Sequence, residues 1–161
     1  MGKDELTILE TDLATQMTFV RSIVATLEER IHGVRPDDPV RLESIAYQIH
    51  NLYNSVEDLL KLVAGHFENN IADPSRWHTE LLYRMTQEIN GVRPALISAD
   101  AYRLLNGWRG FRHFFRHAYS VPIEFDQLEI NIRRARQLFP ALSQDVDRFL
   151  QKLKGELSEA T

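Results

Sequence analysis

The chain has 161 residues, of which 43% are hydrophobic and 26% charged, a composition typical of one soluble globular domain spanning residues 1–161. The absence of cysteine excludes disulfide bonds, thiolate catalysis and cysteine-based zinc sites, and is compatible with a reducing cytoplasm. A formal net charge of −4 disfavours a general nucleic-acid coat, and neither an export signal nor an apolar run near the roughly 18 residues that span a bilayer is visible. We therefore expect a cytoplasmic protein that binds neither membranes nor DNA.

Apolar residues recur at steps of three and four over most of the chain, which is the pattern of amphipathic helices. In chain order the pattern predicts helices over residues 6–31, 42–67, 73–89, 98–119 and 128–153. Capping residues support two of the starts, with Asp before Pro at the third helix and Ser and Asp at the fourth. No segment shows convincing strand alternation. The sequence therefore predicts an all-α fold, an up-and-down bundle of about five helices.

Proline and glycine residues indicate where these helices bend or end. Pro140 lies inside the fifth helix, where a proline removes a backbone donor and clashes one turn back, so we expect a kink or break near residues 138–140. The tetrapeptide GVRP occurs at residues 33–36 and again at residues 91–94. Because glycine adopts the left-handed conformation easily and proline prevents continuation of a helix, we interpret both copies as helix ends rather than as a binding motif.

One segment is strongly cationic although the chain is acidic. Residues 101–123 contain four arginines, two histidines and no acid, and residues 112–119 read RHFFRHAY. On a helical wheel the aromatic side chains fall on one side, where they would anchor the helix in the core. The other side carries the cationic face, formed by Arg109, Arg112, His113, Arg116 and His117.

This cationic face suits the cleavage of RNA phosphodiesters. A histidine can move protons between the ribose 2′-hydroxyl, the leaving oxygen and water, while arginine binds the phosphate and its growing charge. Arg112 and His117 lie about 140° apart on one helix, so a two-fold axis that pools two copies would bring both to one phosphate. His113 and His117 have metal-ligand spacing, but no carboxylate lies near them on this helix to complete the shell, so we predict neither metal nor cofactor. Spacing alone still favours a solvated or ion-paired surface.

RHFFRHAY also fits the R-x4-H-x-Y signature of HEPN-domain ribonucleases. The surrounding segments resemble the HepT-like toxin branch of that superfamily, and they read IHNLYNSVEDLL at residues 49–60, RWHTELLYRMT at 76–86, GVRPALIS at 91–98 and GFRHFFRHAY at 110–119. The resemblance implies a HEPN-like bundle and the toxin of a toxin-antitoxin pair. It further implies a homodimer that cleaves RNA without a metal ion, and family analogy suggests tRNA as the substrate.

The same resemblance assigns roles to individual residues. Arg112 would bind and polarise the phosphate, and His117 would act as acid or base, with His113 in support. Arg116 is an addition to the family motif; its position on the wheel between Arg112 and His117, and that of Arg109 on the same face, make both further supporting residues. In the family, a minimal nucleotidyltransferase antitoxin transfers AMP onto the motif tyrosine, which is Tyr119 here. On the wheel Tyr119 lies about 20° from Arg112, so an adenylate there would block RNA and occupy the arginine.

Other candidates are weaker. Glu57 and Asp58 could order an active-site arginine or face water, and we favour the water-facing interpretation while keeping Glu57 as a partner of the site. A second basic cluster either extends an RNA path or is ordinary surface, and it consists of Arg133, Arg134 and Arg136. Four further histidines show no spacing that suggests a site, namely His32, His50, His66 and His78.

Two other functions remain open at this point. The chain could be a catalytically inactive helical module that docks onto a nucleotidyltransferase through its cationic face, or a plain dimerisation bundle. Growth arrest caused by the chain alone and relieved by His117→Ala would fit only the ribonuclease.

Overall fold

The structure is a computed structural model that describes residues 1–68, 77–117 and 121–159, without the side chains of residues 77, 78, 117 and 159. It contains five helices: α1 (Lys3–Ile31), α2 (Pro39–Phe67), α3 (Trp77–Met85), α4 (Ala99–His117) and α5 (Phe125–Glu159). The predicted all-α bundle is confirmed. Among the helices of these residues, none is long and apolar enough to cross a membrane.

The bundle is built on the hairpin of α1 and α2, whose apolar seams face each other. Asp38 caps α2 by accepting a hydrogen bond from the backbone of Arg41 at 3.1 Å, and Pro39 follows in the first turn, where a missing N–H costs nothing. α5 packs against α1, α2 and α4, while α3 bridges α2 and α4. α4 therefore lies between α5 on one side and α2 and α3 on the other.

α4 is locked onto α5 by polar contacts at two levels. At its start, the buried carboxylate of Asp145 accepts hydrogen bonds from the backbone and the hydroxyl of Ser98, at 2.8 and 2.9 Å. Ser98 in turn caps the helix, as predicted, by accepting from the backbone of Ala101. Halfway along, the indole of the buried Trp108 donates to the carbonyl of Asn131 at 3.3 Å. These contacts fix which face of α4 turns toward α2.

α5 runs without interruption through Pro140, so of the predicted kink or break near residues 138–140 the break is wrong, and the kink stays a prediction. Pro140 itself is exposed, whereas Leu138 and Leu142 on either side of it are almost fully buried. An interior proline costs about 3 kcal/mol. Burial of each leucine stabilises the helix by roughly 1.5–3 kcal/mol, so the core holds the helix together across the proline.

The two GVRP copies have different surroundings. Both glycines have a positive φ, 68° at Gly33 and 74° at Gly91, and the first copy ends α1 as predicted.

The second copy does not end a helix, because α3 stops at Met85 rather than at residue 89. The carbonyl of Met85 accepts hydrogen bonds from the backbone of Leu96 and Ile97, so the chain turns back there. Gly91 instead lies in a tight turn closed by an antiparallel bridge between residues 89 and 93. The predicted start of the third helix, at residues 73–74, lies outside the described residues.

Candidate functional site

The side chains of α4 divide as the helical wheel predicts. Trp108 and Phe111 are buried in the core, and Phe115 is half-buried. Most of the cationic face is exposed, namely Arg109, His113 and Arg116. Arg112 is the exception, because it is half-buried against α2. The aromatic residues therefore anchor the helix, and Arg112 lies where the cationic face meets its neighbour.

Arg112 rests on the ring of Tyr53. Its guanidinium carbon lies 5.4 Å from the ring centroid, within the range of a cation–π interaction. Its Nε is buried and has no hydrogen-bond partner in the described part of the chain. An arginine held on an aromatic ring with a donor unused is oriented and still able to bind an anion.

Tyr53 is itself almost fully buried, at 2% exposure. Burial and the nearby carboxylate of Glu57 raise the pKa of Tyr53 to about 12, against the opposing charges of Arg112 and Arg109. The hydroxyl therefore stays protonated at neutral pH. Tyr53 gives Arg112 a rigid, uncharged platform.

Glu57 is buried at 5% exposure, so the interpretation that it faces water is wrong. It lies one turn after Tyr53 on the inner face of α2, and one oxygen is 3.1 Å from Nζ of Lys61. Asp58, rotated 100° around the helix, does face water and pairs with the same lysine at 3.2 Å. Glu57 is thus a buried carboxylate near the cationic face, on the same side of α2 as Tyr53.

His50 is a member of this site that sequence reasoning missed. Its ring centroid is 5.5 Å from that of Phe115, and its Nε2 lies 3.1 Å from the amide nitrogen of Asn54. Its Nδ1 is buried without a partner among the described residues. Burial, and then the charges of Arg112 and Arg116, lower the pKa of His50 below its ordinary value. The imidazole is therefore neutral at neutral pH.

α2 and α4 meet in an antiparallel register. His50 contacts Phe115, and one turn along, Tyr53 contacts Arg112. We call this region the α2–α4 site, and it comprises His50, Tyr53, Asn54 and Glu57 from α2 with Arg109, Arg112, Phe115 and Arg116 from α4. The α2 members follow the i, i+3, i+4, i+7 spacing of one helix face, which is the signal that could have found His50.

The remaining predicted residues are placed as follows. Arg109 donates a hydrogen bond to the hydroxyl of Thr79 on α3 at 2.6 Å, and His113 is exposed. His117 is the last residue of α4, but its side chain lies outside the described residues, and so does the whole of Tyr119. Their roles remain predictions.

The second basic cluster is mostly tied to its neighbours. Arg136 forms a two-pronged ion pair with Glu28, at 2.8 and 2.9 Å, which lowers the pKa of Glu28 and raises that of Arg136. Arg134 donates to the carbonyl of Gly107 and to the side chain of Asn131. These contacts hold α5 against α1 and α4, which favours the surface interpretation over an RNA path.

No group of three or more His, Asp or Glu residues that could hold a metal ion occurs in the part of the chain that the structure describes.

Comparison with known proteins agrees with the motif. No curated protein and no solved structure matches the chain. A family model described as HepT-like protein matches residues 44–153, which include most of α2, all of α3 and α4 and most of α5, and therefore the whole α2–α4 site. This match covers more than half of the chain, and it confirms the predicted family. The chain belongs to the HepT-like protein family.

Proposed function

We propose that this chain is a cytoplasmic toxin that cleaves RNA without a metal ion, with Arg112 and His117 as its catalytic residues. One observation supports it above all others: Arg112, at the R position of the motif, rests on Tyr53 and has a buried donor, Nε, that no described residue bonds. A purely structural arginine would have its donors bonded within the fold. Membership of the HepT-like family supports the toxin role.

The chemistry requires an oriented cation and a proton carrier. Arg112 binds the scissile phosphate and stabilises the charge that grows on its oxygens. His117 takes the proton from the ribose 2′-hydroxyl, whose oxygen attacks phosphorus, and the 5′-oxygen leaves with a proton. The products are a 2′,3′-cyclic phosphate and a 5′-hydroxyl. Arg109, His113 and Arg116 support the phosphate from the exposed part of the cationic face.

The active form in this proposal is a homodimer. Arg112 and His117 point about 140° apart on one ideal helix, so they reach one phosphate only if a second copy supplies half of the groups. A two-fold axis next to α4 pools two motifs in one cleft. tRNA is the substrate that family analogy favours, because an acidic protein with a confined cationic face suits a folded RNA recognised at one loop or end.

Control by a nucleotidyltransferase antitoxin completes the proposal. Transfer of AMP to the hydroxyl of Tyr119 releases pyrophosphate from ATP and leaves a phosphodiester two turns beyond Arg112. That phosphodiester competes with RNA for the arginine. Intact-mass measurement of the chain expressed with and without its antitoxin tests this step.

Cleavage of total RNA in excess EDTA tests the nuclease. The unmodified parent should cleave, while Arg112→Ala and His117→Ala should not. Arg133→Ala is the matched control, since Arg133 is an exposed arginine of α5 outside the α2–α4 site, and it should cleave like the parent. No cleavage by an unmodified, dimeric parent would favour a binding module that docks onto the nucleotidyltransferase.

A further inference from the structure

The α2–α4 site contains two buried nitrogen atoms without hydrogen-bond partners in the described part of the chain, and they are contributed by different helices. They are Nε of Arg112 on α4 and Nδ1 of His50 on α2. Buried polar atoms in folded proteins are nearly always bonded, so two that are neighbours need an explanation. The contacts of His50 with Phe115 and of Arg112 with Tyr53 place both on the same α2–α4 seam, one turn apart.

Both atoms are donors. Arginine has no acceptor, so its Nε can only donate. For His50, the amide nitrogen of Asn54 is a donor and lies 3.1 Å from Nε2, which must therefore accept. In a neutral imidazole the proton is then on Nδ1. The pKa of His50 is lowered, first by burial and then by Arg112 and Arg116, which keeps the ring in this neutral form.

Two donors on contacts one turn apart along the seam suit a group with two acceptor oxygens. The buried carboxylate of Glu57 does not fit, because it lies seven residues from His50, about 10 Å along α2, and one of its oxygens pairs with Lys61. A phosphodiester has two non-bridging oxygens and a negative charge that suits the neighbouring Arg109 and Arg116. A neutral N–H beside the arginine adds a bond without adding repulsion between cations.

We infer that His50 is an RNA-binding residue, and that its Nδ1–H and the Nε–H of Arg112 together hold one phosphodiester group of the RNA. This inference rests on the proposed RNA substrate and adds to the motif a residue from α2. Asn54 is the positioning residue, since its amide fixes the tautomer of the imidazole. Both residues are half-buried, but the two nitrogens are covered, so the inference requires Arg112 to move as RNA binds while His50 keeps its bond to Asn54.

Binding of an RNA that cannot be cleaved tests the inference apart from catalysis. A fluorescein-labelled 2′-O-methyl RNA oligonucleotide of mixed sequence lacks the attacking 2′-hydroxyl, and its affinity is measured by anisotropy. Loss of a hydrogen bond to a charged group predicts that His50→Phe, which keeps a ring against Phe115, weakens binding about ten-fold. His50→Gln restores an N–H and should recover a large part of that loss.

His66→Gln is the matched control. His66 is also on α2 and lies 3.5 Å from Asp12, but it is 16 residues from His50, about 24 Å along the helix. Its substitution should leave the affinity within about two-fold of the parent, since it contacts no member of the α2–α4 site. Thermal unfolding of every variant accompanies the titrations.

The outcomes separate this inference from the nuclease proposal. Binding by His50→Phe equal to that of the parent would overturn the role of His50, even if the parent cleaves RNA, because a water molecule would then satisfy Nδ1. Equal weakening by His50→Phe and His50→Gln, with a matching loss of thermal stability, would also overturn it in favour of packing. Binding that depends on His50 in a parent that never cleaves RNA would support the inference and overturn the nuclease.

Discussion

Arg93 and Arg112 both lie against the bundle, yet they are bonded in opposite ways. Arg93 is fully buried, and its guanidinium makes five hydrogen bonds, two to Glu68 and three to backbone carbonyls. Arg112 is half-buried on an aromatic ring, with its Nε unbonded in the described part of the chain. All five N–H groups of Arg93 are bonded within the fold, whereas the buried Nε–H of Arg112 has no partner among the described residues.

The arginines of the two GVRP copies, Arg35 and Arg93, also differ in how they are bonded. Arg35, in the first copy, is exposed and pairs with Asp37 two residues on, whereas Arg93, in the second, closes the segment around residues 84–94 from inside. Identical local sequence therefore does not define the role of an arginine. The role depends on the carboxylate with which the arginine pairs, which is the exposed Asp37 for Arg35 and the buried side chain of Glu68 for Arg93.

The largest expected effect is on stability at Arg93. Arg93→Ala removes the buried partner of Glu68, whose side chain is 3% exposed, while the half-exposed Arg84 still pairs with that carboxylate. Breaking a buried ion pair from one side costs about 3–5 kcal/mol, and because Arg84 compensates part of the charge we expect about 3 kcal/mol. Urea denaturation followed by circular dichroism measures this loss. Arg35→Ala is the control from the first GVRP copy and should cost about 0–1 kcal/mol. Equal losses in the two variants would contradict the contrast.

Arg112→Ala should have the opposite effect to Arg93→Ala, with a small loss of stability and a large loss of cleavage. Removal of this cation–π contact, which is partly desolvated because Tyr53 is buried, costs about 1–2 kcal/mol of stability. Loss of a donor that stabilises transition-state charge reduces cleavage about 10²–10³-fold. Single-turnover cleavage and urea denaturation on the same preparations measure both. A stability loss as large as that of Arg93→Ala, or cleavage at the parental rate, would show that Arg112 is structural.

A smaller effect is expected at alkaline pH from Tyr53. Its folded pKa of about 12 lies above the ordinary value of 10, so the stability that its neutral hydroxyl contributes is present below pH 10 and is lost as pH rises toward 12. The loss is roughly 2–3 kcal/mol between these limits. Tyr53→Phe cannot ionise, so its unfolding free energy should fall less over the same range. Parallel pH profiles for the two proteins would contradict this account of Tyr53.

The smallest effect is expected at Arg136. Its ion pair with Glu28 joins α5 to α1 at the surface, so Arg136→Ala should cost at most about 1 kcal/mol at neutral pH. The pKa of Glu28 is lowered in the folded protein, so this contribution is present above the ordinary carboxyl pKa and disappears as acid protonates Glu28. Denaturation at neutral and acidic pH, with Glu28→Gln as the reciprocal variant, measures it. A cost that persists in acid would have another cause.

The main helices and the anchoring of α4 were predictable because they depend on local pattern. Apolar periodicity identifies the seams of α1, α2 and α5, and Ser98 caps α4 as its residue type predicts. The errors arose where distant contacts outweigh local preference. Leu138 and Leu142 hold α5 together across Pro140, and backbone hydrogen bonds to Met85 end α3 early.

Spacing on α2 could have grouped His50 with Tyr53, Asn54 and Glu57, but the sequence could not show that this face of α2 meets α4, for the same reason. The motif identifies the cationic face of α4, but the register that brings His50 to Phe115 and Tyr53 to Arg112 is a property of helix docking. The buried position of Glu57 also depends on that docking, whereas the exposure of Asp58 follows from the wheel. His117 and Tyr119 stay predictions, since their side chains lie outside the described residues.

The most direct test of the contrast between the two arginines is to follow their Nε–H resonances by NMR during titration with the 2′-O-methyl RNA. Arg112→Lys and Arg93→Lys assign the two signals by their disappearance. We expect the Arg112 signal to shift with the occupancy of the RNA and the Arg93 signal to stay unchanged. An unchanged Arg112 signal at saturating RNA would contradict the claim that the cationic face of α4 binds RNA through this arginine.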